Sequence, residues 1–147
     1  MKRYYYNNWL AKVLLFFSTC HTIAVAWFVL SKRSEAGTDQ TDRNHETIHA
    51  LQWTEVTMTA GAIIFAAVLA FGISPWWMLL SPVVYYVWYL LEWLCKLPSG
   101  NAYRSIGFEQ EAYANDSDPD YVENRHLFCG WMKRVLTTVK RKTTTKT

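Results

Sequence analysis

Residues 43–73 read RNHETIHALQWTEVTMTAGAIIFAAVLAFGI, and this stretch decides the fold. Its second part, Val56–Ile73, is 18 residues without an acid, lysine or arginine, which meets the length criterion for a transmembrane helix. Its first part is polar, and no proline or glycine interrupts the chain from Arg43 to Ala60. The spacing therefore predicts one continuous helix, capped by Asp42, whose first turns stand in water and whose remainder is a span. Those first turns contain His45-Glu46-Thr47-Ile48-His49, an H-E-x-x-H motif. Helical residues four apart share a face, so both imidazoles can bind one Zn²⁺ while Glu46 stands ready to take a proton from an attacking water.

Two further apolar blocks flank this helix. Trp76–Leu94 (WWMLLSPVVYYVWYLLEWL) follows after only Ser74-Pro75, which predicts a tight antiparallel hairpin with a kink at Pro82. Val13–Leu30 (VLLFFSTCHTIAVAWFVL) is another 18 residues free of acids, lysine and arginine. Lys2, Arg3 and Ala24-Val25-Ala26 give it the look of a cleavable secretory signal. Its apolar run nevertheless continues to Leu30 and stops at Lys32-Arg33, as an uncleaved anchor does, and an anchor is the reading adopted. Tyr4, Tyr5, Tyr6, Trp9, Trp27, Trp76, Trp77 and Trp93 sit at block ends, the aromatic belt of a membrane interface. The expected fold is all-α: an integral membrane bundle of about three spans (13–30, 43–73, 76–94), then a short helix over 102–115, surface helices over 119–140 and a basic tail over 141–147. His21, in mid-span on this reading, is expected to bond to a neighbouring helix, or more sharply to mark an intramembrane proton or metal site.

Composition agrees. Of 147 residues 51% are apolar and 16% aromatic, with charged residues at 18%, which excludes a disordered chain. A net charge of +3 is too small to argue for nucleic acid, and Cys20, Cys95 and Cys129 form neither a disulfide framework nor a thiolate metal site. Asp116, Asp118 and Asp120 alternate as in a calcium loop, but Tyr121 and Leu127 stand where that loop needs glycine and glutamate.

Catalytic zinc takes three protein ligands, so two histidines leave the set incomplete. The hairpin returns the chain to the side of the H-E-x-x-H turns, where residues 102–115 (AYRSIGFEQEAYAN) carry Glu109 and Glu111. Two residues apart on a helix, they point in roughly opposite directions, so only one can face a metal. Periodicity does not choose between them.

The order H-E-x-x-H at the head of a membrane helix, hydrophobic hairpin, then Phe108-Glu109-Gln110-Glu111-Ala112 resembles the membrane gluzincins. These include the prenyl-protein and HtpX-type proteases and the zinc domain of beta-lactam sensor-transducers; the chain also resembles short bacterial membrane proteins with the order H-E-x-x-H, hairpin, F-E-x-E-A-Y-x-N. The likeness covers residues 43–115. It implies that the Glu opening a Glu-Ala-Asp motif is the third zinc ligand, which here is Glu111, with Tyr113 in place of the Asp that braces a histidine. His45, His49 and Glu111 would then hold Zn²⁺ and Glu46 would act as general base in peptide-bond hydrolysis, on a peptide or membrane-protein substrate. Tyr113, Arg104 and His126 are the candidates for stabilising the oxyanion. The competing expectation is a non-catalytic small membrane protein, either a degenerate peptidase or a phage or bacterial adaptor. With the first span retained, five basic residues (Lys32, Arg33, Arg43, Lys96, Arg104) against three (Lys2, Arg3, Lys12) put the zinc site on the cytoplasmic face of a bacterial inner membrane.

Overall fold

In the computed structural model, residues 4–16, 21–128 and 130–134 are described. The elements in chain order are β1 (Tyr4–Tyr5), α1 (Trp9–Leu14), β2 (Thr22–Val25), β3 (Phe28–Ser31), α2 (Gln40–Phe71), α3 (Ser81–Lys96), α4 (Gly107–Asn115) and α5 (Tyr121–Asn124). The fold is mostly helical, with one small sheet in the order β1-β3-β2.

The long helix is present. Asp39, rather than Asp42, caps α2, its carboxylate accepting the Gln40 N–H at 2.6 Å. Gly72 ends α2 in the left-handed conformation, φ 62°, with its N–H donated to the Val68 carbonyl at 3.0 Å. A 3-10 helix, Pro75–Leu80, turns the chain into α3. Pro82 thus falls in the first turn of α3, where a missing N–H removes no helical bond, and the kink expected there is absent. Gly61 lies beside Ser81, the Trp53 indole donates to the Pro82 carbonyl and His49 lies beside Tyr85, so α2 and α3 run antiparallel.

By length and composition, α2 and the helical segment Pro75–Lys96 are each long and apolar enough to cross a membrane, and only 11% of an apolar 18-residue window of each is buried. The core helix of a water-soluble domain hides such a window. Here Met58, Ile63, Leu69 and Phe71 project outward.

The first expected span is corrected. Within 13–30, α1 stops at Leu14 and the chain then forms an antiparallel β2–β3 hairpin, Thr22 opposite Ser31 and Val25 opposite Phe28. β1 joins β3 in parallel, and residues 17–20 lie outside those described. The length criterion counts apolar residues but not their type. This block holds Thr22, Ile23, Val25, Phe28 and Val29, β-branched or aromatic residues that suit a pleated sheet, and the hairpin satisfies backbone groups that a span would satisfy internally. Ala26, at φ 55°, makes the turn, and its N–H is donated to the Tyr86 hydroxyl at 2.9 Å. His21 is exposed at the head of the hairpin, its carbonyl accepting the Lys32 N–H at 2.9 Å, so neither intramembrane role applies.

After α3 the expected 102–115 helix divides into a 3-10 turn, Tyr103–Ser105, an extended Ile106 and then α4. Glu92 at the end of α3 holds this entry by accepting the Gly107 N–H at 3.0 Å. Of the expected 119–140 helices, α5 and a helical turn over 130–134 are described, and 135–147 lie outside. Trp53, Val56, Tyr85, Ile106, Phe108 and Trp131 form the core where these pieces meet. Fully burying a side chain such as Phe108 contributes about 2–3 kcal/mol, and it fixes α4 against the polar first half of α2.

Candidate metal centre

α2 and α4 bring three ligand-type side chains together: His45, His49 and Glu109, with one ligand atom from each lying within 4.8 Å of the others. The helical four-residue spacing sets the two imidazoles side by side, Nε2 to Nε2 at 3.2 Å. Glu109, in the first turn of α4, reaches His49 Nε2 with Oε1 at 3.2 Å and His45 Nε2 with Oε2 at 3.5 Å. The third member is therefore Glu109, not Glu111. Glu111 points the other way, as residues two apart must, into a buried cluster with Arg125. The resemblance pointed to Glu111, which the structure places away from His45 and His49, and helical periodicity leaves the pair undecided.

Each imidazole is oriented by an acceptor on its far nitrogen. His45 Nδ1 lies 3.3 Å from Asp116 Oδ2, and His49 Nδ1 lies 2.9 Å from Gln52 Oε1. A carboxylate and an amide oxygen only accept, so both Nδ1 atoms carry hydrogen. Both Nε2 atoms then turn toward each other and toward a carboxylate, and such a group of acceptors requires a positive charge among them. A proton on a histidine or a metal cation can supply it. Glu109 is braced by the Tyr89 hydroxyl, which donates to Oε1 at 2.8 Å, while its buried Oε2 has no hydrogen-bond partner among the described residues. Burial alone would raise the Glu109 pKa, but the imidazoles of His45 and His49 beside it, with Tyr103, hold it well below the usual carboxylate range. Two imidazoles, one carboxylate and an acceptor behind each imidazole are a donor set that fits Zn²⁺.

Beside the three lies a cavity of about 340 Å³, bounded by Glu46, His49, Glu109, Thr22 and Ala24, and by Trp53 and tyrosines 85, 86, 89 and 103. Glu46 is steadied there by the Thr22 hydroxyl, which donates to its Oε1 at 3.1 Å. The other sequence candidates do not line this cavity. Tyr113 packs edge-on against the His45 ring with centroids 4.6 Å apart, Arg104 stacks over Tyr113, and His126 is exposed beside Arg125. Asp116, which alternates with Asp118 and Asp120 in the sequence, and Gln52 are braces that the H-E-x-x-H motif does not reveal. Gln52 stands three residues after His49, and that helical spacing was the available signal.

No known family model, no curated protein and no solved structure matches the chain.

Proposed function

We propose that this chain is a membrane-bound zinc metallopeptidase, its metal held by His45, His49 and Glu109. The observation that carries the reading is the convergence of these three groups beside a cavity that His49, Glu109 and Glu46 line. Zinc bound there would supply Lewis acidity, polarising the scissile carbonyl and making water more acidic. Glu46 accepts the proton of the attacking water on its carboxylate and passes it to the leaving amine, so that water and one peptide bond become a carboxylate and an amine. Thr22 occupies Glu46 Oε1 and thereby orients the carboxylate. The Tyr86 hydroxyl accepts the Ala26 N–H, which leaves its own proton for an acceptor in the cavity.

The substrate that suits this cavity is an extended peptide. His21 accepts from Lys32 across the hairpin, so the alternation of an antiparallel ladder turns the N–H and C=O groups of Thr22 and Ala24 to the outer edge of β2. A peptide adding to that edge gains main-chain hydrogen bonds, and the aromatic walls take an apolar side chain. Insertion of residues 56–71 and of the Pro75–Lys96 segment in a bilayer is supported by their length and outward apolar surface. The basic residues still favour a cytoplasmic site in a bacterial inner membrane.

The test is metal analysis of the protein purified in detergent, with cleavage of quenched peptides containing Leu or Phe. Wild type should carry about one zinc per chain, and His45→Ala, His49→Ala and Glu109→Ala should lose it. Glu46→Gln should keep the metal and lose roughly 10²–10⁴-fold in rate, since an amide has the shape of the carboxylate without its basicity. Wild-type protein that cannot be loaded with zinc would leave the non-catalytic membrane adaptor as the correct reading.

A further inference from the structure

Gln52 is completely buried between the metal-binding face of α2 and the start of α4. Its amide makes three close bonds. Nε2 donates to the Phe108 carbonyl at 3.0 Å and to Glu111 Oε2 at 2.9 Å, and Oε1 faces His49 Nδ1 at 2.9 Å. The Tyr85 hydroxyl sits 3.5 Å from the same Oε1. Phe108 O and the Glu111 carboxylate can only accept, so the NH₂ end must point at them. Turned over, the amide would set its oxygen against both and offer N–H to His49 Nδ1. That would drive the imidazole hydrogen onto Nε2, the atom that faces Glu109.

Glu111 is itself locked. Arg125 donates to it through Nε at 2.6 Å and Nη2 at 3.3 Å, and the Tyr121 hydroxyl donates to Oε1 at 3.0 Å. The same guanidinium is bonded to Glu55 through Nη1 and, at 3.1 Å, Nη2. A fixed anion therefore stands opposite the Gln52 NH₂ group.

We propose that Gln52 is a positioning residue that holds His49 in the tautomer with Nε2 free to ligate, and that the Glu111–Arg125 pair keeps the Gln52 amide turned the right way. The glutamate that resembled a ligand acts one residue removed, through an amide. This rests on the reading that His45, His49 and Glu109 bind a divalent cation.

The experiment measures zinc affinity of the full chain in detergent by competition with a chelating dye, without reference to turnover. Gln52→Met keeps the length of the side chain and removes its polar atoms, and should weaken zinc binding about 10–100-fold, the usual effect of losing a partner behind a ligand histidine. The double change Gln52→Glu with Glu111→Gln restores an acceptor to His49 and a donor opposite it, conserves the charge of the cluster, and should recover most of the affinity. Nitrogen-15 spectra of the histidines at alkaline pH should show hydrogen on His49 Nδ1 in wild type and in the double variant. If Gln52→Met fails to fold, the double variant and the spectra carry the test. Unchanged zinc affinity in Gln52→Met, no recovery in the double variant, or hydrogen on His49 Nε2 in wild type would overturn the proposal while leaving the metal centre standing. Wild type that takes up no zinc would overturn both.

Discussion

Removing the Arg125 guanidinium should be among the most damaging single changes outside the His45–His49–Glu109 group. Its side chain is 3% exposed and bonds to Glu55 and Glu111, whose side chains are 3% and 0% exposed. Burial would by itself lower the Arg125 pKa, but hydrogen bonds and charge from the two carboxylates raise it, so the group stays a cation. In Arg125→Met two carboxylates remain in the interior with neutral donors alone. Glu55 keeps the Phe128 N–H at 3.2 Å and the Trp131 indole at 3.0 Å, and Glu111 keeps Tyr121 and Gln52. Breaking a buried pair by removing one partner destabilises by about 3–5 kcal/mol. At about 2–4 °C per kcal/mol for a chain of this size, the melting temperature should fall by about 6–20 °C. Thermal unfolding in detergent, followed by tryptophan fluorescence, measures it. Arg125→Lys keeps the charge but not the planar fork that spans two carboxylates, and should fall between wild type and Arg125→Met. Because the penalty belongs to stranded anions, adding Glu55→Gln and Glu111→Gln to Arg125→Met should return much of the lost stability. An Arg125→Met protein melting within about 2 °C of wild type would refute this account of the cluster.

Two further outcomes follow from the same geometry. A Cβ built on Gly130 would overlap the Glu111 carboxylate, so Gly130→Ala should destabilise by about 1–3 kcal/mol, read as a lowered melting temperature, while a surface alanine change should not. In zinc-free protein the depressed Glu109 pKa stabilises the fold above the unfolded-state value of about 4, and this contribution is lost as pH falls below it. Acid unfolding of Glu109→Gln should be correspondingly less steep, and an identical pH profile would show that Glu109 is not held as an anion.

The helical part of the fold was legible because its signals are strong and local: an uninterrupted run from Arg43, an apolar stretch of spanning length and a glycine-proline punctuation after Phe71. The His45–His49 pair was legible for the same reason, since it depends on spacing within one helix. What failed depended on distant contacts. The β-branched and aromatic residues between Thr22 and Val29 are a local signal for a sheet, but a weak one against the length of the apolar run; Val29 and Leu30 are buried by packing that the rest of the chain supplies. That Glu109 rather than Glu111 turns toward the two histidines depends on Arg125, fourteen residues beyond Glu111 and paired as well with Glu55 across 70 residues. No local period contains that information.

The 32-residue α2 carries both the His45–His49 pair and a long apolar stretch, with no break between them. At 1.5 Å per residue, His49 stands about 10 Å along the helix axis from Val56, where the apolar stretch begins. With residues 56–71 in a bilayer, the helix is a ruler fixed at one end. It holds the site at the outer limit of the lipid headgroups, a layer about 5–8 Å deep on each side. Under the proposed function, the bonds within reach would be those at one set height above the hydrocarbon, such as the juxtamembrane residues of another membrane protein. On that same reading, selection among substrates would then come from where a bond sits relative to the membrane surface.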